Sequence, residues 1–189
     1  PYTRILTNKH VLEDKYGNTP SSCKIFNFDY NWITYGFLKN VISYEGSISK
    51  HPDYDWGTIK LPTGHKTIQY FEQILDEFNP ADHLCGHIPI TEGWPSSGDE
   101  IIVLGFPEIG AGDDVTITRG IISGLEGNYY LTDAKVDHGN SGGAAIHLEY
   151  DCFLGIPTAA AVGEIESLGR IFGDVAIFGS MSPKQDQEW

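Results

Sequence analysis

The apolar residues of this chain come in short runs, broken repeatedly by 22 glycines and 10 prolines. That punctuation constrains the fold more than any other feature. Long helices need uninterrupted stretches, whereas strands joined by tight turns tolerate frequent Gly and Pro. The run Lys24–Phe28 alternates in the two-residue period of a strand with one face buried. A chain of 189 residues is long enough to bury a full core, as one domain or as two small barrels. No apolar run approaches the ~20 residues that span a bilayer, so no membrane span is expected. The formal net charge of −14 argues against nucleic acid or an anionic membrane surface as a partner, because both attract basic proteins. Three cysteines, Cys23, Cys85 and Cys152, allow at most one internal disulfide.

One glycine-rich stretch carries chemistry, Asp137-His138-Gly139-Asn140-Ser141-Gly142-Gly143. Gly139 permits a sharp turn, which lets the N–H groups of Gly139 and Ser141 converge on one point. Converging amides stabilise an oxyanion, so Gly139, Asn140 and Ser141 are the expected oxyanion hole. Gly142 and Gly143 remove side chains that would block a substrate carbonyl. A serine hydroxyl is a weak nucleophile and needs a base, which in turn needs an orienting group. The chain offers both, in order. His10 follows the apolar Ile5-Leu6 and Thr7-Asn8, and Asp55 heads the strand-like Trp56–Leu61. Imidazole can accept and return a proton near neutral pH, and a carboxylate fixes its tautomer. The other six histidines lack the Thr-Asn run, and Asp53 is the nearest rival to Asp55. The order His, Asp, Ser is one of several in which such a triad occurs.

These segments resemble the trypsin-like serine peptidases of the chymotrypsin fold, most of all the bacterial HtrA/DegP-type protease domain. Its motifs T-N-x-H-V, D-x-A-x-x-K-L and G-N-S-G-G read here as Thr7–Val11, Asp55–Leu61 and Gly139–Gly143. The resemblance runs from about residue 2 to about residue 178 and implies an all-β fold of two six-stranded antiparallel β-barrels. It places a first barrel over 1–65 with His10 and Asp55, a connection over 66–97, a second barrel over 98–180 with Ser141, and a tail from 181. The family has a further strand upstream of Thr7, so N-terminal strand(s) of the first barrel are expected to be missing. With no initiator Met and no signal-peptide pattern at Pro1, the N-terminus is expected to arise by processing or truncation.

The implied activity is endoproteolysis of a polypeptide through an acyl-enzyme, with catalytic residues His10, Asp55 and Ser141 and no cofactor or metal. An exported or cell-envelope setting is favoured over the cytoplasm, and the oligomeric state stays open. The alternative is a latent or inactive protease-fold module that binds or chaperones. By the same resemblance the substrate pocket is lined by Lys135, His138, Thr158, Ala159 and Ala160. Trypsins carry an Asp where this chain has Lys135, which disfavours cleavage after Arg or Lys. Pro157 stands where glutamate-specific relatives place a histidine, so small or medium aliphatic residues are expected instead.

Elsewhere, Ile68, Phe71, Ile74, Leu75 and Phe78 recur at helical spacing, which predicts an amphipathic helix over 66–78 ended by Asn79-Pro80. The Gly110–Asp114 stretch reads as a hairpin turn. The His83-Leu84-Cys85-Gly86-His87 segment alternates metal-ligating residues, but it lacks a second cluster to complete a zinc site and reads as a loop. Ile171–Phe178 fits either a last strand or a short helix.

Overall fold

A computed structural model of the chain describes residues 3–20, 23–31, 36–44, 48–61, 83–89, 91, 93–106, 115–162 and 167–180. The chain divides into two compact units, Pro1–Phe78 and Asn79–Trp189. The predicted helix over 66–78, the turn at 110–114 and the tail from 181 lie outside the described residues. Among the described residues no helix is long and apolar enough to cross a membrane.

In the first unit, β1 (Thr3–Thr7), β4 (Ile48–Lys50) and β5 (Gly57–Leu61) form an antiparallel sheet in the order β1-β5-β4. A second ladder pairs β2 (Cys23–Asn31) with β3 (Gly36–Tyr44), from Cys23↔Tyr44 to Asn31↔Gly36. The register of β1 on β5 matters most for function. Thr3 faces Leu61 and Thr7 faces Gly57, so β1 ends where β5 begins. The residues just after β1 and just before β5 therefore leave the sheet at the same end. The apolar run that leads towards His10 is a strand only as far as Thr7. Asn8 is extended (φ −69°, ψ 147°), and a short 3-10 turn over Lys9–Leu12 follows, closed by Val11 N–H donating to the Asn8 carbonyl (3.2 Å).

The second unit is a closed barrel of β6 (Glu100–Gly105), β7 (Thr116–Glu126), β8 (Tyr129–Thr132), β9 (Ala144–His147), β10 (Cys152–Val162) and β11 (Ser167–Gly173). The strands close antiparallel in the order β10-β11-β8-β7-β6-β9. β6 alternates strictly: Ile101 and Val103 are fully buried, whereas Glu100 is exposed. They join Ile122, Tyr130, Ala145, Leu154 and Ile171 in one core. Removing a closed sheet's edges also removes the unpaired backbone groups that invite aggregation.

A disulfide between Cys85 and Cys152 links the 3-10 turn Cys85–His87 to the start of β10 and occupies Cys85 of the His83–His87 segment. The Ile171–Phe178 run is divided between the two alternatives. β11 continues through Gly173, and a helix, α1 (Asp174–Ser180), begins immediately after it. The switch coincides with Asp174. Asp174 accepts hydrogen bonds from its neighbour Val175 N–H (2.8 Å) and from Gly86 N–H (2.7 Å). A carboxylate in the first turn also suits the helix dipole. Burial nonetheless pushes the Asp174 carboxyl above its ordinary range, against those two amides.

Candidate active site

In the first unit, the meeting of His10 with Asp55 follows from the β1/β5 register. His10 in the 3-10 turn meets Asp55 in the bend before β5. Asp55 Oδ2 lies 2.8 Å from His10 Nδ1, and its Oδ1 accepts the His10 backbone N–H at 3.1 Å. An ionised carboxylate is an acceptor only, so Nδ1 is the donating nitrogen and Nε2 is the one that Asp55 does not engage. The His10 side chain is 48% exposed and Asp55 29%, which leaves the ring open to a reacting group.

Two side chains hold the Asp55 bend in place. His51, one of the rival bases, accepts the N–H groups of Asp53 and Tyr54 on Nδ1, each at 3.1 Å. Its own N–H donates to the Trp56 carbonyl (2.9 Å), and its ring lies against Tyr54 and Trp56. His51 thus organises the loop that delivers Asp55. From the other side, Asn8, fully buried, donates Nδ2 to the Asp55 backbone carbonyl (3.1 Å) and to Asp55 Oδ2 (3.3 Å). Asp53, the rival to Asp55, is exposed.

The serine turn belongs to the second unit. Asn140 N–H donates to the Asp137 carbonyl (3.0 Å), and Asp137 N–H donates back to Asn140 Oδ1 (3.0 Å). Gly143 N–H closes the next turn on the Asn140 carbonyl (2.9 Å), and Phe106 N–H, at the end of β6, ties down the Gly139 carbonyl (3.2 Å). Gly139 takes a φ of +94°, a conformation that glycine adopts at little cost. Among the described residues the N–H groups of Gly139 and Ser141 donate to no protein acceptor, as an oxyanion hole requires. The Asn140 amide is used inside the turn, so of the three residues expected at the hole Asn140 serves the turn. Its Nδ2 is buried and has no hydrogen-bond partner among the described residues.

Gly143 has a further reason the sequence does not suggest. A Cβ there would lie 2.0 Å from the Leu104 carbonyl oxygen of β6, so the missing side chain makes room for that strand. The Ser141 hydroxyl donates to the Thr158 carbonyl of β10 at 3.0 Å. β9 pairs with β10 only from Cys152 to Gly155, and the β10–β11 register shifts between Pro157 and Ala160. Ser141 therefore sits against β10 beyond the reach of β9.

Of the remaining predicted residues, Lys135 and His138 are exposed, and neither side chain forms an ion pair among the described residues. The Lys135 carbonyl accepts from Thr118 Oγ1 (2.9 Å), and His138 N–H from the backbone donates to Asp137 Oδ1 (2.7 Å). Ala159 and Ala160 belong to β10, and their side chains lie outside the described residues. Among the described residues no three His, Cys, Asp or Glu side chains gather as metal ligands. His147 is instead fully buried, its Nε2 on Asp99 Oδ2 (3.1 Å) and its Nδ1 accepting Tyr150 N–H (3.2 Å). Asn8 is a functional candidate that the sequence does not single out. It lies in the Thr7-Asn8 run, but nothing in the sequence says which group it meets.

The trypsin-like peptidase domain family matches residues 1–156. The chain belongs to that family. Among solved structures it is similar to an HtrA-type protease, AlgW with a decapeptide, at 20% identity and TM-score 0.58, over 94% of this chain and 47% of that one. It is also similar to the Rv3671c protease of M. tuberculosis in its active form (20% identity, TM-score 0.58, 94% of this chain and 67% of that one). A third similar structure is the MamO protease domain of Magnetospirillum magneticum (14% identity, TM-score 0.57, 97% and 83%). This chain spans about half the length of the AlgW chain it matches. A comparison with curated proteins finds no match. At these identities the structural likeness establishes a shared fold, that of HtrA-type proteases.

Proposed function

We propose that this peptidase domain is a serine endopeptidase that cleaves polypeptides through an acyl-enzyme. Ser141 attacks the peptide carbonyl, His10 Nε2 takes the hydroxyl proton and returns it to the leaving amine, and Asp55 holds the imidazole in the required tautomer. The amides of Gly139 and Ser141 stabilise the oxyanion. The observation that carries this reading is the His10–Asp55 pair, 2.8 Å between Nδ1 and Oδ2, which leaves Nε2 as the exposed base. In the same proposal the first unit is a barrel over 1–65, a connection spans 66–97, and the second barrel spans 98–180. An extended substrate pairs with β10 at Thr158–Ala160, where peptide recognition by strand addition needs backbone groups beside the nucleophile. The AlgW structure that carries a decapeptide supports a polypeptide as the substrate class.

One observation favours a second reading. The Ser141 hydroxyl is bonded to the Thr158 carbonyl, so its proton is directed into β10. A latent module that binds peptides without cleaving them would keep it there. Intact-mass labelling with a fluorophosphonate separates the two. The active reading expects one adduct on Ser141, absent in Ser141→Ala and strongly slowed in His10→Ala. A folded chain that takes no adduct at pH 8 refutes it in favour of the latent module.

A further inference from the structure

Asp55 receives more hydrogen bonds than orienting an imidazole needs, and one donor comes from outside the triad. Asn8 is fully buried at the exit from β1, two residues before His10. Its Nδ2 reaches both the Asp55 backbone carbonyl (3.1 Å) and the Asp55 carboxylate Oδ2 (3.3 Å). Oδ2 is the same atom that His10 Nδ1 approaches at 2.8 Å. The Asn8 backbone acts on the partner side, because its carbonyl accepts Val11 N–H and so starts the turn that carries His10.

We propose that Asn8 is the positioning residue of this site, fixing the Asp55 carboxylate and the His10 turn in one frame. This rests on the serine-peptidase reading. The physical need is plain. A carboxylate can rotate about its side-chain torsions, and His10, which holds Oδ1 by its N–H and Oδ2 by Nδ1, is itself the residue to be positioned. A donor bonded at once to the backbone and to Oδ2 of the same residue removes that rotation. Because Asn8 is buried, its amide bonds are made away from competing water. A serine or alanine at this place leaves the backbone path of β1 intact but cannot bridge to Asp55.

The test compares the wild-type chain with Asn8→Ala, Asn8→Asp and Ser141→Ala. Asn8→Asp matters because it keeps the volume, removes the donors and sets a second carboxylate beside Asp55. Each folded variant is first checked by a cooperative thermal melt. Two readings follow at pH 8: the second-order rate of fluorophosphonate labelling, and the 15N shifts of the His10 ring, assigned by their loss in His10→Gln. A misplacement near 1 Å costs on the order of a hundredfold in rate, so both Asn8 variants should label at least about tenfold more slowly. Their His10 rings should move from a single Nδ1–H tautomer toward a mixture, which loss of stability alone would not produce.

An unchanged His10 tautomer in Asn8→Ala overturns the proposal, whatever the labelling rate. Asn8→Asp labelling at the wild-type rate overturns it as well. If Asn8→Ala does not fold, Asn8→Ser carries the same two readings. If wild-type protein takes no adduct, the peptidase reading fails by itself, and the tautomer comparison still decides whether Asn8 holds the His10–Asp55 pair.

Discussion

Replacing Gly143 by alanine should damage the serine turn more than the barrel that carries it. The added Cβ would stand 2.0 Å from the Leu104 carbonyl oxygen and 2.9 Å from the Asn140 carbonyl oxygen. Both obstacles are backbone. Leu104 cannot give way, because it is held between Ile117 of β7 and Ala144 of β9. Ordinary contact begins near 3.4 Å, so the Gly143 segment must retreat by about 1.4 Å. Ser141 is two residues away and shares the turn closed by Gly143 N–H on the Asn140 carbonyl, so it moves too. A displacement of that size predicts roughly a hundredfold loss in the rate of fluorophosphonate labelling. Overpacking of this kind costs about 1–3 kcal/mol, which for a chain this long lowers the melting temperature by several degrees and leaves the protein folded at 25 °C. Gly179→Ala is the control, since a Cβ there meets nothing within 4 Å. The assay is labelling of all three proteins at one pH, with melting curves alongside. Gly143→Ala labelled within twofold of wild type, with an unshifted melt, would refute the close-approach argument.

Two other perturbations test the second unit. Cys85 and Cys152 close a loop with a sequence separation of 67, for which loop-closure entropy predicts a stabilisation of about 4 kcal/mol at 25 °C. The double variant Cys85→Ala, Cys152→Ala should lose about that much in urea unfolding, with a steeper denaturant dependence; a loss under about 1 kcal/mol would mean the link does not constrain the unfolded chain. Burial alone would raise the Asp99 carboxyl, but the hydrogen bonds from His147 and the Ser96 amide outweigh it and lower it below 3.8. A carboxyl lowered on folding contributes stability that is fully present above 3.8 and is lost as pH falls through its folded value. Asp99→Asn should therefore be less stable than wild type at pH 6, with the gap narrowing below pH 4; a gap that stays constant with pH contradicts the pairing.

Much of the barrel in the second unit is readable from the chain. Ile101–Phe106 is a short, continuous apolar run, Val115–Gly124 resembles a long strand of the HtrA-type domain, and the observed strands, β6 and β7, lie within a few residues of those runs. A short apolar run bounded by turn residues is a local property, so it survives in the sequence. The sequence leaves the short helix α1 open against a strand, because Ile171–Phe178 suits both. The choice turned on Asp174 meeting Gly86, a residue far away in sequence. Cysteine pairing was equally undecided, since three cysteines admit several partners, and folding brought Cys85 to Cys152.

The chemistry divides along the same line. Residue types and their order mark His10, Asp55 and Ser141 as candidates, because a histidine, an aspartate and a serine in that order, each beside a distinctive turn or strand, are rare in combination. The pairing of His10 with Asp55 depends on Thr7 facing Gly57, a register that no single segment contains. The tasks of Asn8, His51 and Gly143 belong wholly to tertiary structure. Each depends on a partner from another strand or on the shape of a bend, and a side chain's type says what it can bond, not what folding will place beside it.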